Sequence, residues 1–293
     1  MTKTPIGFIG LGLLGSAMAR RLLARGHEVV GYDLDPTRSE ALLAVGLQAA
    51  ESPSAVVSKC QLTLVCVLDT AALAAVITGP NGVQTTPGIS GKVLIDHSTS
   101  EIETTRALAQ NLTWETGMAF VDAPVSGGPG AALDGTLSIM AGGKAETIER
   151  VRPIVECLGR FTHMGSVGAG QATKLVNQAL VLPAYCVIAE ALRLAQAYGV
   201  DASKVPHALA TGFAGSNLLP VLFERMIAED FTPTGYARQI LKDLEMLHSA
   251  SKEQSLSMPM TSQTLSLYRM LVSQGKGELD GSAIVTLLAK PAN

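Results

Sequence analysis

The sequence predicts an α/β protein in which a doubly wound parallel sheet is followed by an all-α C-terminal domain, joined by a long inter-domain helix. Short apolar runs alternate with helical stretches through the first half of the chain, as strand–helix–strand units require. After Gly170 the strand signals stop, and apolar residues recur at helical spacing to the end. We therefore expect a sheet domain over residues 1–165 and a helical domain over residues 166–293.

Five apolar runs are predicted to form the parallel strands, and a later pair is expected to extend the same sheet. Runs such as LTLVCVL are continuously apolar, as a strand buried on both faces requires. The five runs cover residues 6–9, 28–32, 62–68, 92–95 and 118–121, and the later pair covers 137–141 and 161–163.

The helical half opens with one long helix, predicted from Gln171 to about Tyr198 and closed by Gly199. Pro183 falls inside this helix and is expected to kink it or to interrupt one hydrogen bond. Further helices are predicted at 203–211, 216–228, 234–253 and 259–274.

Composition excludes several classes of function. The formal charge is −3 with no basic block, so we expect no nucleic-acid partner. The four cysteines form no C-x-x-C pair and the histidines are dispersed, which indicates reduced thiols in a cytoplasmic protein and no metal site. The most apolar stretch, between Lys174 and Glu190, is too short to span a bilayer, so a core helix and no membrane association are expected.

A glycine motif marks a dinucleotide-binding turn. Gly10, Gly12 and Gly15 form G-x-G-x-x-G between a predicted strand and an amphipathic helix. The first glycine permits the tight turn, the second lets the backbone approach a pyrophosphate, and the third lets helix and strand pack closely. The helix N-terminus then offers N–H groups and a positive dipole end to the phosphates. This context predicts a Rossmann domain.

The residue that ends the next strand bears on the choice of cofactor. Asp33 lies at the position where a carboxylate accepts hydrogen bonds from the adenosine ribose hydroxyls. It would also repel a 2′-phosphate, so NAD is predicted. Arg38 is the one residue able to reach such a phosphate, and NADP stays open as an alternative.

Three polar residues on the long helix form the first candidate chemical site. Lys174, Asn177 and Gln178 stand at i, i+3 and i+4 and project from one helical face. A lysine on an otherwise apolar helix is expected to have a pKa lowered toward neutrality, which suits proton exchange with a hydroxyl group. The alternative is a lysine that reaches solvent, with both amides on the surface.

Two further candidates follow predicted strands, where ligands bind in open parallel sheets. Ser126, Gly127 and Gly128 supply a hydroxyl and exposed backbone N–H groups able to hold a carboxylate; the alternative is a simple glycine turn. Ser98 and Thr99, in DHSTS, end another strand at the same edge, where a nicotinamide ribose or carboxamide could lie.

At these residues the chain resembles the β-hydroxyacid dehydrogenases, and the resemblance runs nearly end to end. The motifs that carry it are FIGLGLLGSAMARRLL, IDHSTS, DAPVSGG with DGTLSIMAGG, GAGQATKLVNQ, AEAL, GFAGS and LKDL. The resemblance implies hydride transfer between NAD(H) and a small hydroxy or aldehyde acid. It also implies a homodimer or homotetramer formed with the help of the helical domain.

The resemblance also implies roles for individual residues. Lys174 becomes the acid/base. The substrate-binding set is Ser126, Gly127, Gly128, Asn177 and Gln178. The cofactor-binding set is Gly10, Leu11, Gly12, Leu13, Leu14, Gly15, Asp33, Leu68, Thr99 and Lys242.

The resemblance does not identify which acid is the substrate. The KLVNQ and GFAGS segments resemble the tartronate semialdehyde (2-hydroxy-3-oxopropionate) reductase branch more than the 3-hydroxyisobutyrate branch. Asp69 stands where the family commonly has proline, which leaves the identity of the acid undecided. The alternatives are a glyoxylate, succinic semialdehyde or imine reductase of the same superfamily, or a dinucleotide-binding module without catalysis.

Overall fold

The computed structural model describes residues 4–289 and contains a nine-stranded sheet. The strands are β1 (Ile6–Ile9), β2 (Val29–Tyr32), β3 (Gln48–Ala49), β4 (Leu62–Val65), β5 (Val93–Asp96), β6 (Ala119–Asp122), β7 (Val125–Ser126), β8 (Leu137–Gly142) and β9 (Gly159–Gly165). All residues of β1 and β5 are buried, and they are apolar or glycine except Asp96, which ends β5.

The sheet runs in the order β3-β2-β1-β4-β5-β6-β8-β7, with β9 paired to β8. The strands from β3 to β6 are parallel, whereas β8 runs antiparallel to β6. The prediction of a doubly wound parallel sheet is confirmed. The predicted later pair, β8 and β9, also extends this sheet, but it runs antiparallel to β6. The strand order reverses between β1 and β4, the position at which such sheets bind ligands.

Helices cover both faces of this sheet. They are α1 (Leu13–Ala24), α2 (Pro36–Leu43), α3 (Pro53–Lys59), α4 (Thr70–Thr78), α5 (Ile102–Thr116), α6 (Gly128–Asp134) and α7 (Ala145–Val155). One core cluster joins the sheet to α1, α6 and α7 through residues such as Leu22 and Ile148. A second cluster on the other face joins it to α3, α4 and α5 through Val56, Leu73 and Leu112.

The chain divides into two compact units, Met1–Leu175 and Val176–Asn293. The division lies within the long helix α8 (Ala169–Ala197), which continues through Pro183. The sequence-based domain boundary at 165/166 lies just before this helix. The second unit contains α9 (Val205–Leu209), α10 (Leu218–Ala228), α11 (Ala237–Glu253) and α12 (Pro259–Leu271). Its elements are helical, as predicted.

The second unit has its own hydrophobic core. Leu182, Ala189 and Leu192 of α8 pack there with Phe223 of α10 and Tyr268 of α12. By length and composition α8 is also the one helix among residues 4–289 that could cross a membrane, and a third of its most apolar window is buried inside the protein. Its contribution to this core identifies α8 as a core helix.

Candidate functional site

The glycine loop between β1 and α1 has the geometry that its motif predicts. Gly10 has φ of +92°, and a Cβ there would lie 2.2 Å from the carbonyl oxygen of Cys66. A Cβ on Gly15 would lie 2.0 Å from the carbonyl oxygen of Gly10. A Cβ on Gly12 would instead meet only Arg38 Nη1, at 3.7 Å. The loop is therefore closed on the protein side and open above Gly12, as an approaching pyrophosphate requires.

The start of α1 suits an anion. Gly12 is its N-cap residue, and no side chain within the described part of the chain caps it. The first N–H groups of a helix lack intrahelical partners, and the helix dipole favours negative charge at this end. Leu13 is exposed and Leu14 half-buried beside them, while Leu11 is buried.

The carboxylate of Asp33 is bound to this loop. Its Oδ2 accepts a hydrogen bond from the Leu11 amide at 2.6 Å, and its Oδ1 accepts one from the Asp35 amide at 2.9 Å. Arg38 Nη1 lies 3.6 Å from Asp33 Oδ1, and the Arg38 guanidinium also lies 3.6 Å from Asp35. The acidic residue and the glycine loop, 22 positions apart, are thus brought together.

Residues after β4 and β5 meet at the carboxyl edge of the sheet. The Ser98 hydroxyl accepts a hydrogen bond from the Val67 amide at 2.9 Å, which joins the two strand ends. Leu68 next to Val67 is exposed, and Thr99 next to Ser98 is half-buried. Leu68 and Thr99, the two predicted cofactor contacts, therefore each follow one member of the hydrogen-bonded pair Val67 and Ser98.

His97 occupies this edge in a supporting position. It is buried, its Nδ1 lies 2.7 Å from the Ala123 carbonyl oxygen, and burial lowers its pKa to about 4. A neutral imidazole hydrogen-bonded to the neighbouring strand end braces the loop.

Two buried carboxylates below this edge were missed by the sequence analysis. Asp96 and Asp122 end β5 and β6 and stand opposite each other in register. Desolvation raises the pKa of Asp96 to about 7 and that of Asp122 to about 6. Backbone amides donate to Asp122, whereas both backbone and side-chain donors surround Asp96. The polar residues that end two adjacent apolar runs were the available signal, but their partners lie far away in the sequence.

Lys174 is buried in the first unit, at 8 % exposure. Its Nζ donates a hydrogen bond to the Val125 carbonyl oxygen at 2.8 Å. Val125 directly precedes Ser126 in β7, so the ammonium group lies beside the predicted carboxylate-binding turn. The alternative of a lysine side chain in solvent is excluded by this burial.

The turn after β7 keeps its backbone accessible. Ser126 is half-buried, and Gly127 is exposed with φ of +130°. Gly128 has φ of +72°, and a Cβ there would meet nothing within 4 Å. The structure thus brings Lys174 together with the Ser126–Gly128 turn, a distance of nearly 50 residues along the chain.

The remaining predicted residues lie in the second unit and form one hydrogen-bonded chain. Asn177 Nδ2 donates to Gln178 Oε1 at 2.9 Å, and Gln178 Nε2 donates to Asp243 Oδ2 at 2.5 Å. Lys242 Nζ lies 2.9 Å from Asp243 Oδ1. Asp243 therefore joins the predicted substrate amides to the predicted cofactor lysine. Asp243 is the aspartate of LKDL, and its role was not predicted from the sequence.

Two family models together cover almost the whole chain. Residues 5–170 match the NAD-binding domain of 6-phosphogluconate dehydrogenase. Residues 168–288 match the domain described as the NAD-binding domain of NADP-dependent 3-hydroxyisobutyrate dehydrogenase. A 2-hydroxy-3-oxopropionate reductase of Escherichia coli is 38 % identical over 290 residues, which cover 98 % of each chain. The chain belongs to the β-hydroxyacid dehydrogenase family.

Other relatives support the same family. The mitochondrial 3-hydroxyisobutyrate dehydrogenase of Mus musculus is 30 % identical and is covered to 88 %, against 98 % of this chain. Among solved structures, a 3-hydroxyisobutyrate dehydrogenase from Salmonella typhimurium has a TM-score of 0.88 at 25 % identity, covering 98 % of this chain and all of that one. The chain is therefore an NAD(P)-binding oxidoreductase that acts on a small hydroxy acid.

Proposed function

We propose that this β-hydroxyacid dehydrogenase transfers a hydride between NAD(H) and a small 3-hydroxy or 2-hydroxy-3-oxo carboxylic acid, with Lys174 as the acid/base. The observation that carries the proposal is the buried ammonium group, which is 2.8 Å from the Val125 carbonyl oxygen and adjacent to the Ser126 turn. A proton donor held beside a carboxylate-binding turn suits a substrate whose hydroxyl lies near its carboxylate.

The glycine loop is the proposed binding site for the dinucleotide. The open surface over Gly12 and the start of α1 fit the pyrophosphate, and Asp33 fits the adenosine ribose. Leu68 and Thr99 are proposed on the nicotinamide side, and Lys242 of the second unit is proposed as a further cofactor contact. When bound, the nicotinamide supplies the hydride acceptor or donor.

The chain's own residues orient the acid and move the proton. The Ser126 hydroxyl and the N–H groups of Gly127 and Gly128 bind the carboxylate. In oxidation the neutral amine form of Lys174 removes the proton from the substrate hydroxyl oxygen and becomes an ammonium, and in reduction the ammonium returns that proton. Asn177 and Gln178, which follow Lys174 on the same helix, are proposed to bind the substrate oxygens.

The relative named 2-hydroxy-3-oxopropionate reductase favours tartronate semialdehyde as the substrate. The KLVNQ segment, which carries Lys174 and the two amides, supports that branch. We place the enzyme in the cytoplasm as a homo-oligomer. Its four cysteines are free, which agrees with a reducing compartment.

The test is Lys174→Ala, assayed beside the wild type with NADH and NADPH against tartronate semialdehyde, methylmalonate semialdehyde and succinic semialdehyde. Removing the proton donor should lower turnover by at least about a hundredfold while NADH still binds. Lys144→Ala, an exposed lysine at the start of α7, is the matched control and should keep wild-type turnover. Near-normal turnover in Lys174→Ala would refute the assignment, and a wild type inactive on the whole panel would refute the function.

A further inference from the structure

We propose that Gln171 is a positioning residue that fixes the Thr99 loop against the helix carrying Lys174. The inference rests on the function proposed above and deepens it. Gln171 is buried to 1 % exposure, and no part of the catalytic proposal uses it. Its side chain bonds to the Ser98 and Ser100 peptide groups, so its effect on the reaction would be transmitted through Thr99 and Lys174.

The side-chain amide of Gln171 hydrogen-bonds to the backbone on both sides of Thr99, an arrangement called the Gln171 bracket below. Its Nε2 donates a hydrogen bond to the Ser98 carbonyl oxygen at 2.9 Å, and its Oε1 accepts one from the Ser100 amide at 3.1 Å. These are the two peptide groups that flank Thr99. A side-chain amide bound to both pins the Thr99 backbone in the way a neighbouring strand would. The two hydrogen bonds also fix which amide atom is nitrogen and which is oxygen.

The backbone of Gln171 is anchored separately. The Asp122 carboxylate accepts hydrogen bonds from the Gly168 amide at 2.8 Å and from the Gln171 amide at 2.9 Å. It thereby caps the start of α8 from the end of β6, where the helix dipole favours a negative charge. The first turn of α8 cannot shift along the sheet without breaking these bonds.

The Thr99 loop is anchored from its other side by Asp96. Its Oδ1 accepts a hydrogen bond from the Ser98 amide at 2.9 Å, and its Oδ2 accepts one from the Ser100 hydroxyl at 3.2 Å. Gln171 Nε2 lies 3.5 Å from the same Oδ2. Gln171 is thus the side chain that joins the loop held by Asp96 to the helix held by Asp122.

The functional consequence follows from helical spacing. Lys174 lies three residues after Gln171, so both project from the same side of α8. The bracket therefore couples the position of Thr99, on the nicotinamide side, to the position of the proton donor. A displacement of about 1 Å between reacting groups can cost about a hundredfold in rate.

Gln171→Leu tests the inference, because it keeps the side-chain volume approximately and removes both hydrogen bonds. The expected kcat is about 10- to 100-fold below wild type, with the Kd of NADH within about threefold. The deuterium isotope effect on kcat with 4-deuterated NADH should rise, since hydride transfer becomes more rate-limiting. Gln110→Leu, the same change at an exposed position of α5, is the control and should leave all three unchanged.

A kcat within about twofold of wild type, in a folded Gln171→Leu variant, would overturn the inference. If that variant does not fold, Gln171→Asn replaces it, because its shorter amide cannot bond to both peptides. Hydrogen exchange at the Ser100 amide tests the Gln171 hydrogen bond directly and needs no turnover. Its result therefore stands even if the proposed function is wrong. Faster exchange in the variant than in wild type supports the bracket, and equal exchange contradicts it.

Discussion

At the scale of single residues, the Asp33 carboxylate combines a structural contact with a proposed role in cofactor choice. It receives the Leu11 amide of the glycine loop and lies 3.6 Å from the Arg38 guanidinium. The carboxylate repels a 2′-phosphate and attracts Arg38, a nearby cation that could bind such a phosphate. Both effects favour NAD.

Asp33→Asn should therefore shift the preference toward NADP while keeping an oxygen for the Leu11 amide. The ratio of kcat/KM with NADH to kcat/KM with NADPH should fall at least about fivefold, because charge interactions near a protein surface are worth about 1–4 kcal/mol. Asp35→Asn, which removes an acidic partner of Arg38 but leaves the Asp33 charge in place, is the control and should change the ratio less than Asp33→Asn does. An unchanged ratio in Asp33→Asn would contradict the role assigned to this carboxylate.

At the scale of secondary structure, the start of α8 fits against the strands because Gly170 has no side chain. A Cβ there would lie 2.4 Å from the Met140 carbonyl oxygen and 2.6 Å from that of Asp122. Both are backbone atoms of strands in the sheet and cannot turn aside. The close approach also lets Asp122 reach the amides at the helix start.

Gly170→Ala should consequently lower the free energy of unfolding by about 1–3 kcal/mol, as overpacking does, despite the higher helix propensity of alanine. Gly130→Ala in α6 is the matched control, because a Cβ there would meet nothing within 4 Å. It should be neutral or raise stability by up to about 1 kcal/mol. Urea unfolding of the three proteins measures the difference, and equal stability of the two variants would contradict the packing argument.

Features that depend on neighbouring residues could be predicted from the sequence, whereas features that depend on distant contacts could not. The parallel strands β1, β2, β4, β5 and β6 were predictable because each lies in a largely apolar run, and the glycine loop because its residues act on near neighbours. The two-residue strands β3 and β7 are too short to leave a pattern. The antiparallel direction of β8 depends on its contact with β6 and on no local signal. Gln171 contacts residues more than 70 positions away, which one sequence cannot reveal.

At the scale of the whole molecule, α8 presents an apolar stripe to solvent. Val176, Leu180, Val187 and Leu194 recur at spacings of four and seven residues, and each is more than half exposed. Such spacing places them along one face of the helix. An exposed row of large aliphatic side chains is typical of an interface with another chain. The stripe therefore supports the proposed homo-oligomer and is the face we assign to a second copy.

A double variant, Leu180→Glu with Leu194→Glu, should dissociate that oligomer. Two carboxylates on each copy would have to be buried in the apolar contact, which costs several kcal/mol per unpaired charge. Light scattering coupled to size exclusion should show the monomer mass for the variant and a multiple of it for the wild type. Leu34→Glu, at an 88 % exposed position in the turn after β2, is the control and should retain the wild-type mass. An assembly that survives the double variant would mean that another surface joins the copies, and a monomeric wild type would remove the oligomer altogether.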